Sequence, residues 1–480
     1  MEVLIRESTF GRLTNYLTRG SAFPYPSSQS SSNSPYNSSL ESSVRKQEDQ
    51  SKLVDWSSPD DPEKPMNWSS SAKFVVMLEV MLLNFSFYAA SAIFTPSIPG
   101  IEEEYGVGTA AGTLGLSLFV IAYGIGPLIL SPLSNIPSIG RTPIYISGLF
   151  GFCLFQIGTA LAKNIQTVLI LRFFAGFIGS TPISVGGATL SEIYGPSHMP
   201  YAIAFYAVSG VCGPILGPNQ VGHMESDVMA THGSFGFYAS LLQSEIDMKG
   251  LSITKSISKQ IIEDFKMSFA DPIILFVNLH TMLIYGVLYL WFEFFPYVFA
   301  GIYGFTALQQ ALAFFGILIG AIISIIAYLL WLRFSYGPSA AKMGDTYKPE
   351  VRLLPGQIGA ICIPICLFIF GWTSRPSVHW IAPIIGTAFF APGFYLTFQS
   401  VLNYLGESYP RHVASVFAGN TFFRSFFGGA LPLAAPAMLR SLGIGWASSV
   451  LAFISVALLP VPFILARYGE RLRKWSSYAN

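Results

Sequence analysis

The stretch SGVCGPILGPNQVGHMESDVM, residues 209–229, begins like a buried membrane helix and ends as a polar segment. Its first half is apolar and rich in small residues. Its second half carries Asn219, Gln220, His223, Glu225 and Asp227, and such groups are costly in the hydrocarbon core of a bilayer. A helix therefore stops partway through this stretch, and the organisation of the chain depends on where the next helix begins.

Composition places the chain among membrane proteins. Of its 480 residues, 52% are apolar and 11% are charged, against about 25% charged in ordinary soluble domains. A bilayer accommodates this apolar surface because each crossing needs about 20 mostly apolar residues. The net charge of +1 gives no electrostatic basis for binding nucleic acid, so the lipid bilayer is the expected surrounding.

Eleven apolar runs have the length and composition of membrane spans, although the fifth is short. No complete span follows the fifth until residue 272. The runs are residues 74–96, 112–133, 143–162, 168–193, 201–217, 272–299, 308–332, 355–372, 381–402, 413–439 and 446–466. The sequence therefore predicts an all-α polytopic membrane protein with about eleven spans.

The distribution of Lys and Arg, which mark cytoplasmic loops, indicates a missing crossing. The N-terminal tail, the segment 333–352 and the C-terminal end all carry Lys or Arg, and the segment 223–270 carries four Lys. Five crossings from a cytoplasmic start would place 223–270 outside. The charges therefore require a sixth crossing, for which residues 228–242 are the best remnant, about five residues short of a full span.

We expect the chain to be organised in five parts. Residues 1–68, which are Ser-rich, form a disordered cytoplasmic tail, and residues 69–222 form an incomplete N-terminal helical bundle. Residues 223–270 form a central cytoplasmic linker with the remnant of helix six. Residues 271–467 form a C-terminal six-helix bundle, and residues 468–480 form a cytoplasmic tail.

Neither a metal site nor a cofactor site is predicted. The four cysteines lie in apolar segments without a grouped His, which favours packing. The phosphate-binding pattern G-x-x-x-x-G-K-[ST] does not occur, so ATP is not the expected energy source. The few histidines form no cluster, which argues against a membrane enzyme.

Several motifs together resemble those of one family. They are VDWSSPDDPEKPMNW (54–68), SPLSNIPSIGRTPIYI (131–146), LRFFAGFIGSTPISVGGATLSEIY (171–194), GPILGP (213–218), YLWFEFFPYVFAGIYGF (289–305) and NTFFRSFFGGALPL (420–433). The chain resembles fungal members of the major facilitator superfamily, in the twelve-helix drug:proton antiporter branch. The resemblance implies a major facilitator fold of two helical bundles, here with a truncated N-terminal bundle.

The loop after the second span resembles the gating loop of this family, with one departure. Asn135 stands where the family carries an acidic residue, and Gly140 and Arg141 follow in the family order. The resemblance implies that the missing carboxylate would help to hold the cytoplasmic gate beside Arg141.

The fifth span carries the residues of the family's antiporter motif. Gly210, Gly213 and Gly217 share one face, where small residues let another backbone come close. Pro214 and Pro218 bend a helix because they remove hydrogen bonds. The resemblance implies that this helix packs against the opposite half and resists proton leak, and plain helix packing is the alternative.

Arg172 and Glu293 are the candidate proton-coupling residues. Arg172 lies early in the fourth span, and because a central charge costs at least about 2.5 kcal/mol, it should face a cavity or a partner. The alternative for Arg172 is snorkelling to the interface. Glu293 lies among aromatic residues, where a carboxyl group can exchange a proton near neutral pH and could also attract a cationic substrate. The alternative is an ordinary residue of the outer interface.

Polar residues at four-residue spacing within several spans predict a substrate cavity. We expect the charged ones to border a watery passage between the two bundles. The alternative is that these side chains hold helices together. The candidates are Asn84, Tyr88, Tyr285, Tyr289, Gln399, Asn403, Asn420 and Arg424.

These features predict proton-coupled export of small amphipathic organic compounds, such as drugs, toxins or a secondary metabolite, by alternating access. The expected partners are this cargo, protons and the bilayer. We expect a monomer in the plasma membrane, with the vacuolar membrane as the alternative. The alternative function is a non-transporting remnant of such a transporter, arising as a splice or gene-model variant.

Overall fold

The computed structural model describes residues 61, 64–134, 140–195, 198–221, 262, 265–339, 348–410, 412–476 and 478–479. The predicted tail before residue 61 and the predicted remnant at 228–242 lie outside these residues. The described residues from 76 onward belong to one compact unit, and no strand occurs in the part that the structure describes.

The described residues before 222 form helices α1 to α7. Proline at the first turn begins both α4 and α6, where its missing N–H costs nothing, and the Asn164 side chain caps α5 by accepting a hydrogen bond from Thr167. Helices α5 and α6 together form one long span. The bounds are α1 Ser70–Ala92, α2 Ile98–Tyr105, α3 Thr109–Ser134, α4 Thr142–Ala160, α5 Ile165–Gly179, α6 Thr181–Ile193 and α7 Met199–Val221.

The described residues after 271 form helices α8 to α15. Asp271 caps α8 by accepting hydrogen bonds from the N–H groups of Ile273 and Ile274, and α8 continues as a π-helical segment, Pro296–Ile302. The bounds are α8 Pro272–Phe295, α9 Ala307–Ala313, α10 Phe315–Trp331, α11 Leu354–Thr373, α12 Ile381–Ala388, α13 Phe390–Ser408, α14 Val413–Leu458 and α15 Pro460–Trp475.

Ten helical segments of the described chain are long and apolar enough to cross a membrane. The last, Ser415–Trp475, has 61 residues and would be roughly 90 Å long if straight. Gly443, with φ 69°, interrupts α14, and Leu465 packs in the same buried cluster as Val416. The chain therefore turns back at Gly443, and this segment holds the last two predicted spans. The prediction of an all-α membrane protein with about eleven spans is confirmed.

The outward surface of the helices is apolar. On α10 the exposed side chains recur at helical spacing along one face, which is the pattern of a helix in contact with lipid tails. They are Ile319, Ile322, Ile323, Ile326 and Leu330. This surface fits a bilayer and not water.

Contacts within the first half give the relative directions of its helices. Phe87 stacks on Phe119 at 5.2 Å between ring centroids, and Phe94 lies beside Gly115, so α1 and α3 are antiparallel. Asn84 bonds to Ser209, and Ala89 further along α1 lies beside Gly217. Helix α7 therefore runs in the same direction as α1. The end where α1 finishes is the predicted outer end, because the loop there has three Glu and no Lys or Arg, and we call it the outer end.

Helix α8 also runs toward the outer end. Thr113, near the start of α3, bonds to Glu293, whereas Tyr123, further along α3, bonds to Tyr285, so α3 and α8 are antiparallel. Helix α7 thus ends at the outer end, and α8 begins at the inner end. The end of α7 and the start of α8 therefore lie at opposite ends of the helices. The sixth crossing stays a prediction, since the residues that would form it lie outside the described ones.

Candidate functional site

Six buried polar side chains meet where the helices before residue 222 contact those after residue 271. They come from α1, α3, α8 and α14, and we call them the junction cluster. Its members are Tyr88, Ser91, Tyr123, Tyr285, Tyr289 and Arg424.

Hydrogen bonds join the two halves within the junction cluster. The hydroxyl groups of Tyr123 and Tyr285 are in direct hydrogen-bond contact, and Tyr123 also donates to the Tyr289 hydroxyl at 3.0 Å. Tyr289 is bonded in turn to the Ser91 hydroxyl at 2.9 Å. Because buried hydroxyl groups are costly when they lack partners, these bonds stabilise the closed contact between the halves.

Arg424 carries the positive charge of the junction cluster. Its Nη2 atom donates to the Tyr88 hydroxyl at 3.3 Å and to the Thr421 hydroxyl at 3.5 Å. Its guanidinium lies 4.8 Å from the ring centroid of Tyr285 and 5.3 Å from that of Phe398, within the range of cation–π attraction. No Asp or Glu of the described residues forms an ion pair with it. The charge is thus stabilised by hydroxyl groups and ring faces alone.

Glycines bring α3 and α14 close enough to place Tyr123 beside Arg424. A Cβ on Gly124 would lie 2.6 Å from the Cβ of Ser425, and one on Gly429 would lie 2.7 Å from the Ser117 carbonyl oxygen. Both distances are too short for real side chains. The junction therefore depends on bare backbone at these two positions.

The polar face of α8 meets the first half along its outer part. Tyr285, Tyr289 and Glu293 lie on the face that contacts α1 and α3, as their four-residue spacing predicts. At the outer end Thr113 donates a hydrogen bond to Oε1 of Glu293 at 3.1 Å. The hydrogen bonds that Tyr285, Tyr289 and Glu293 form with α1 and α3 together close the outer side of the junction.

Arg172 is enclosed within the first half. It is 2% exposed, and it donates from Nε to the Gly115 carbonyl at 3.2 Å and from Nη1 to the Ala90 carbonyl at 3.3 Å. Its guanidinium lies between the rings of Phe94 and Phe119, at 4.5 and 4.2 Å. Arg172 therefore holds α1, α3 and α5 together, and it does not border the expected passage in this conformation.

Two of the predicted cavity residues form pairs inside one half. Asn84 donates to the Ser209 hydroxyl at 2.8 Å, joining α1 to α7. Asn420 donates to Asn278 and Thr281 at 3.0 and 2.8 Å, joining α14 to α8. Both arrangements correspond to the alternative interpretation, in which polar groups hold helices together.

Gln399 and Asn403 lie on α13, where a second contact between the halves occurs. Gln399 donates to the carbonyl of Ile203 on α7 at 3.1 Å, and Tyr395 donates to the carbonyl of Ala204 at 3.0 Å. Asn403 stays within the second half, bonded to the Gln399 carbonyl at 2.6 Å. Gln399 thus lies where the two halves meet, and Asn403 stabilises it through a hydrogen bond within α13.

The glycine face of α7 packs against α1, a helix of the same half. A Cβ on Gly213 would lie 2.6 Å from the Cβ of Tyr88, and one on Gly217 would lie 2.6 Å from the Ala89 carbonyl oxygen, whereas at Gly210 the nearest atom is 3.4 Å away. The packing against the opposite half that the resemblance implied does not involve these glycines. Helix α7 contacts that half through α9, α10 and α13, and its hydrogen bonds from Tyr395 and Gln399 lie at its inner end. The role of the motif, including Pro214 and Pro218, in preventing proton leak stays a prediction.

The gating loop is described only in part, since Asn135 lies outside the described residues. Gly140 has φ 69°, a left-handed conformation that favours glycine. Arg141 forms an ion pair with Glu192 at the end of α6. A carboxylate therefore does stand beside Arg141, although it comes from α6 and not from position 135.

The junction is closed in this conformation, so the expected watery passage is not open. A small cavity of about 20 Å³ lies instead within the first half, among α1, α4, α5 and α6. Its lining is mostly apolar and consists of Leu83, Phe87, Tyr145, Leu149, Phe152, Gly179 and Pro182.

Four residues that join the two halves were not predicted from the sequence: Ser91, Thr113, Tyr123 and Tyr395. Ser91 and Thr113 carry small hydroxyl groups, which are common in membrane helices and give no distinct signal. Tyr123 did give a signal in the sequence, because the span 112–133 contains no charged residue, no Asn or Gln and no other Tyr. A single large hydroxyl-bearing side chain in an apolar span indicates a buried partner.

Comparison with known proteins agrees with this architecture. The family model described as Major Facilitator Superfamily matches residues 80–432. The chain is 38% identical to Transporter mfs1 of Schizosaccharomyces pombe, covering 89% of this chain and 88% of the relative. It is 36% identical to Multidrug transporter FLR1 of Candida glabrata, covering 89% of this chain and 83% of the relative. Its fold is similar to the crystal structure of a variant of the peptide transporter POT in complex with sulfate, with a TM-score of 0.57, 11% identity and coverage of 84% and 95%.

Proposed function

The chain belongs to the major facilitator superfamily, and from this premise we propose that it exports small amphipathic organic compounds in exchange for protons. Membership makes it a multi-pass membrane transporter of small molecules and not an enzyme. Drugs, toxins or a secondary metabolite are the proposed cargo, supported by the name of the multidrug transporter of Candida glabrata. We place it in the plasma membrane as a monomer, with the vacuolar membrane as the alternative address.

The observation that carries the proposal is the hydrogen-bonded contact of α8 with α1 and α3. Transporters of this architecture bind substrate between two halves that rock against each other. Here polar groups buried at membrane depth lie between the halves, joined by bonds that can break and re-form. Opening the junction would expose Tyr88, Tyr285, Gln399 and Arg424 to water and cargo.

Glu293 is the proposed site of proton uptake. In the closed junction Thr113 donates to its carboxylate, and Glu293 lies at the outer end, where protons arrive from outside. Uptake of a proton removes the negative charge and so changes the balance between the open and closed outer end. Arg172 is proposed to act with Glu293 by holding α1, α3 and α5 as one body during this movement.

Expression in yeast cells that lack their own drug exporters tests the function. With surface delivery verified by a fluorescent tag, the chain should lower the accumulation of at least one fluorescent dye or raise resistance to at least one antifungal drug. Unchanged accumulation and unchanged resistance, with the protein at the cell surface, would contradict the proposed export function.

A non-transporting remnant is the second candidate, because relatives contain residues that this chain lacks. The alignment with Transporter mfs1 runs over 473 residues but includes only 89% of this chain's 480 residues, so some aligned positions have no counterpart here. Sequencing the transcript across residues 217–244 decides between the two. A longer transcript encoding a full helix six, active where the present form is inactive, would make the present form the remnant.

A further inference from the structure

We propose that the junction selects anionic cargo, and that Arg424 is the residue that binds its negative group. The cargo class is a flat aromatic compound carrying a carboxylate or an acidic phenol. This inference rests on the proposed export function and names the substrate class of the same site.

Arg424 differs from the other buried or partly buried arginines in lacking a strong acceptor. Arg141, Arg352 and Arg473 are paired with carboxylates. Arg172 is bonded to two carbonyl oxygens. Arg424 is only 9% exposed, yet within the described residues its acceptors are two hydroxyl groups, both at long distance.

The unused donors of Arg424 have the geometry that an anion requires. A guanidinium carries five N–H groups, and both described hydrogen bonds of Arg424 start from Nη2. Its Nε and Nη1 atoms donate to no acceptor in the part of the chain that the structure describes. A planar fork of this kind binds a carboxylate through two parallel hydrogen bonds. A bound anion would supply the counter-charge that the protein itself does not.

The carboxylate of the junction lies too far away to supply that charge. Glu293 stands two helical turns beyond Tyr285 on α8, roughly 12 Å along the helix axis, and Thr113 is bonded to its carboxylate. The described groups that contact Arg424 are two phenols, the Thr421 hydroxyl and a phenyl ring, and none of them carries a negative charge. A cationic cargo would therefore meet an uncompensated positive charge, whereas an anion would be attracted to it.

Aromatic rings on both sides of Arg424 suit a flat cargo. Tyr285 and Phe398 present their faces to the guanidinium, and Phe394 stacks on Phe398 at 4.6 Å between centroids. Offset stacking of a planar aromatic body on such rings adds to the attraction. The rings fix the body of the cargo, and Arg424 fixes its charged end.

Two dyes with the same xanthene core and opposite charge test the inference. Cells lacking their own exporters are loaded with fluorescein, supplied as its diacetate, or with rhodamine 123, and the efflux rate of each dye is measured. The wild-type chain should expel fluorescein and retain rhodamine 123. Arg424→Gln should lower fluorescein efflux about tenfold, whereas Arg424→Lys, which keeps the charge but not the fork, should retain part of it.

Arg333→Gln is the matched control, since Arg333 is exposed and contacts the Phe334 ring at the inner end of the second half. It should leave the efflux of both dyes unchanged. Binding of fluorescein to purified wild-type and Arg424→Lys protein, measured by fluorescence anisotropy, gives a second readout if Arg424→Gln fails to reach the membrane.

The outcomes separate this inference from the export function. Equal efflux of both dyes, efflux of rhodamine 123 alone, or equal loss of both dyes in the Arg424 variants would overturn anion selection and leave export standing. Resistance to uncharged drugs without efflux of either dye would do the same. Failure to expel any dye or drug would overturn the proposed function itself.

Discussion

At the scale of single residues, the positions of the two buried arginines show what the sequence could predict. That Arg172 and Arg424 need partners follows from the cost of a charge in the bilayer. Which partners they have depends on neighbouring helices. Arg172 donates hydrogen bonds to carbonyl oxygens of α1 and α3, whereas Arg424 contacts hydroxyl groups and ring faces. Periodicity within one span cannot distinguish these two cases, because it contains no information on the facing helix.

Glu293→Gln should abolish the dependence of transport on external pH while the protein still reaches the membrane. The amide keeps an oxygen that accepts the Thr113 hydrogen bond, but it cannot exchange a proton. Efflux measured from acidic to neutral external pH should fall with rising pH in the wild type and stay constant in the variant. Glu103→Gln, in the exposed part of α2, is the control and should retain the wild-type profile. A pH response that survives in Glu293→Gln would exclude this carboxyl group from proton coupling.

Arg172→Gln should destabilise the first half. The shorter side chain loses two hydrogen bonds from a charged group and its contacts with Phe94 and Phe119, a loss of at least about 2 kcal/mol. The buried thiol of Cys153 on α4 reports unfolding of this half, and it should react with a thiol-specific dye at a lower temperature in the variant. Arg440→Gln, at an exposed position of α14, should leave that temperature unchanged. An unshifted transition in Arg172→Gln would show that the described contacts contribute little.

At the scale of helices, glycine spacing predicted a close contact on α7 but not its partner. The sequence places three glycines on one face, and the structure confirms that a backbone approaches there. The approaching helix is α1, which runs parallel to α7. No local pattern in the sequence encodes this pairing. The polar face of α8 was easier to predict, since three residues with large polar groups recur at the same spacing.

Gly213→Ala should weaken the contact between α1 and α7 by about 1–3 kcal/mol, as expected for overpacking. The added Cβ would lie 2.6 Å from the Cβ of Tyr88 and 2.8 Å from the Phe85 carbonyl oxygen. The first atom is bonded to the backbone of α1 and the second belongs to it, so neither can move without displacing that helix. Gly210→Ala on the same face meets ordinary contact distances and should be tolerated, and Gly187→Ala on α6 meets nothing within 4 Å. Thermal unfolding of the three purified variants checks the order. Equal stability of Gly213→Ala and Gly187→Ala would contradict the described packing.

Asp271→Ala should destabilise the inner end of α8. Asp271 accepts from two N–H groups of α8, from the Tyr409 hydroxyl at 2.9 Å and from the Ser476 hydroxyl. Removing it deletes a helix cap, worth about 0.5–2 kcal/mol, and leaves two buried hydroxyl groups without their acceptor. Ser476→Ala removes one of these bonds and should cost less, about 0.5–1.5 kcal/mol. Thermal unfolding in which Ser476→Ala is the more damaging variant would contradict this arrangement.

At the scale of the whole molecule, the directions of the helices connect the sequence to the mechanism. The charges of the loops predicted an inner position for residues 223–270, and the contacts of α3 with α8 place the start of α8 at the end opposite to the acidic loop after α1. The ion pairs Arg352–Glu407, Arg473–Glu350 and Lys348–Glu470 lie near the loops predicted to be cytoplasmic, and the hydrogen bond to Glu470 raises the pKa of Lys348. The course of the chain between α7 and α8 could not be derived from the sequence, because its best remnant is shorter than a span.

Cysteine labelling in intact cells tests this topology directly. In a variant with the four native cysteines replaced, Glu103→Cys, exposed on α2 at the outer end, should react with a membrane-impermeant maleimide. Lys266→Cys, exposed just before α8, should react only after the membrane is permeabilised. Labelling of Lys266→Cys in intact cells would show that α8 runs in the opposite direction. Glu293 could then no longer meet Thr113 at the outer end. Proton uptake from outside and anion binding at Arg424 both require α8 to run outward, so this one orientation decides whether the junction can act as a transport site.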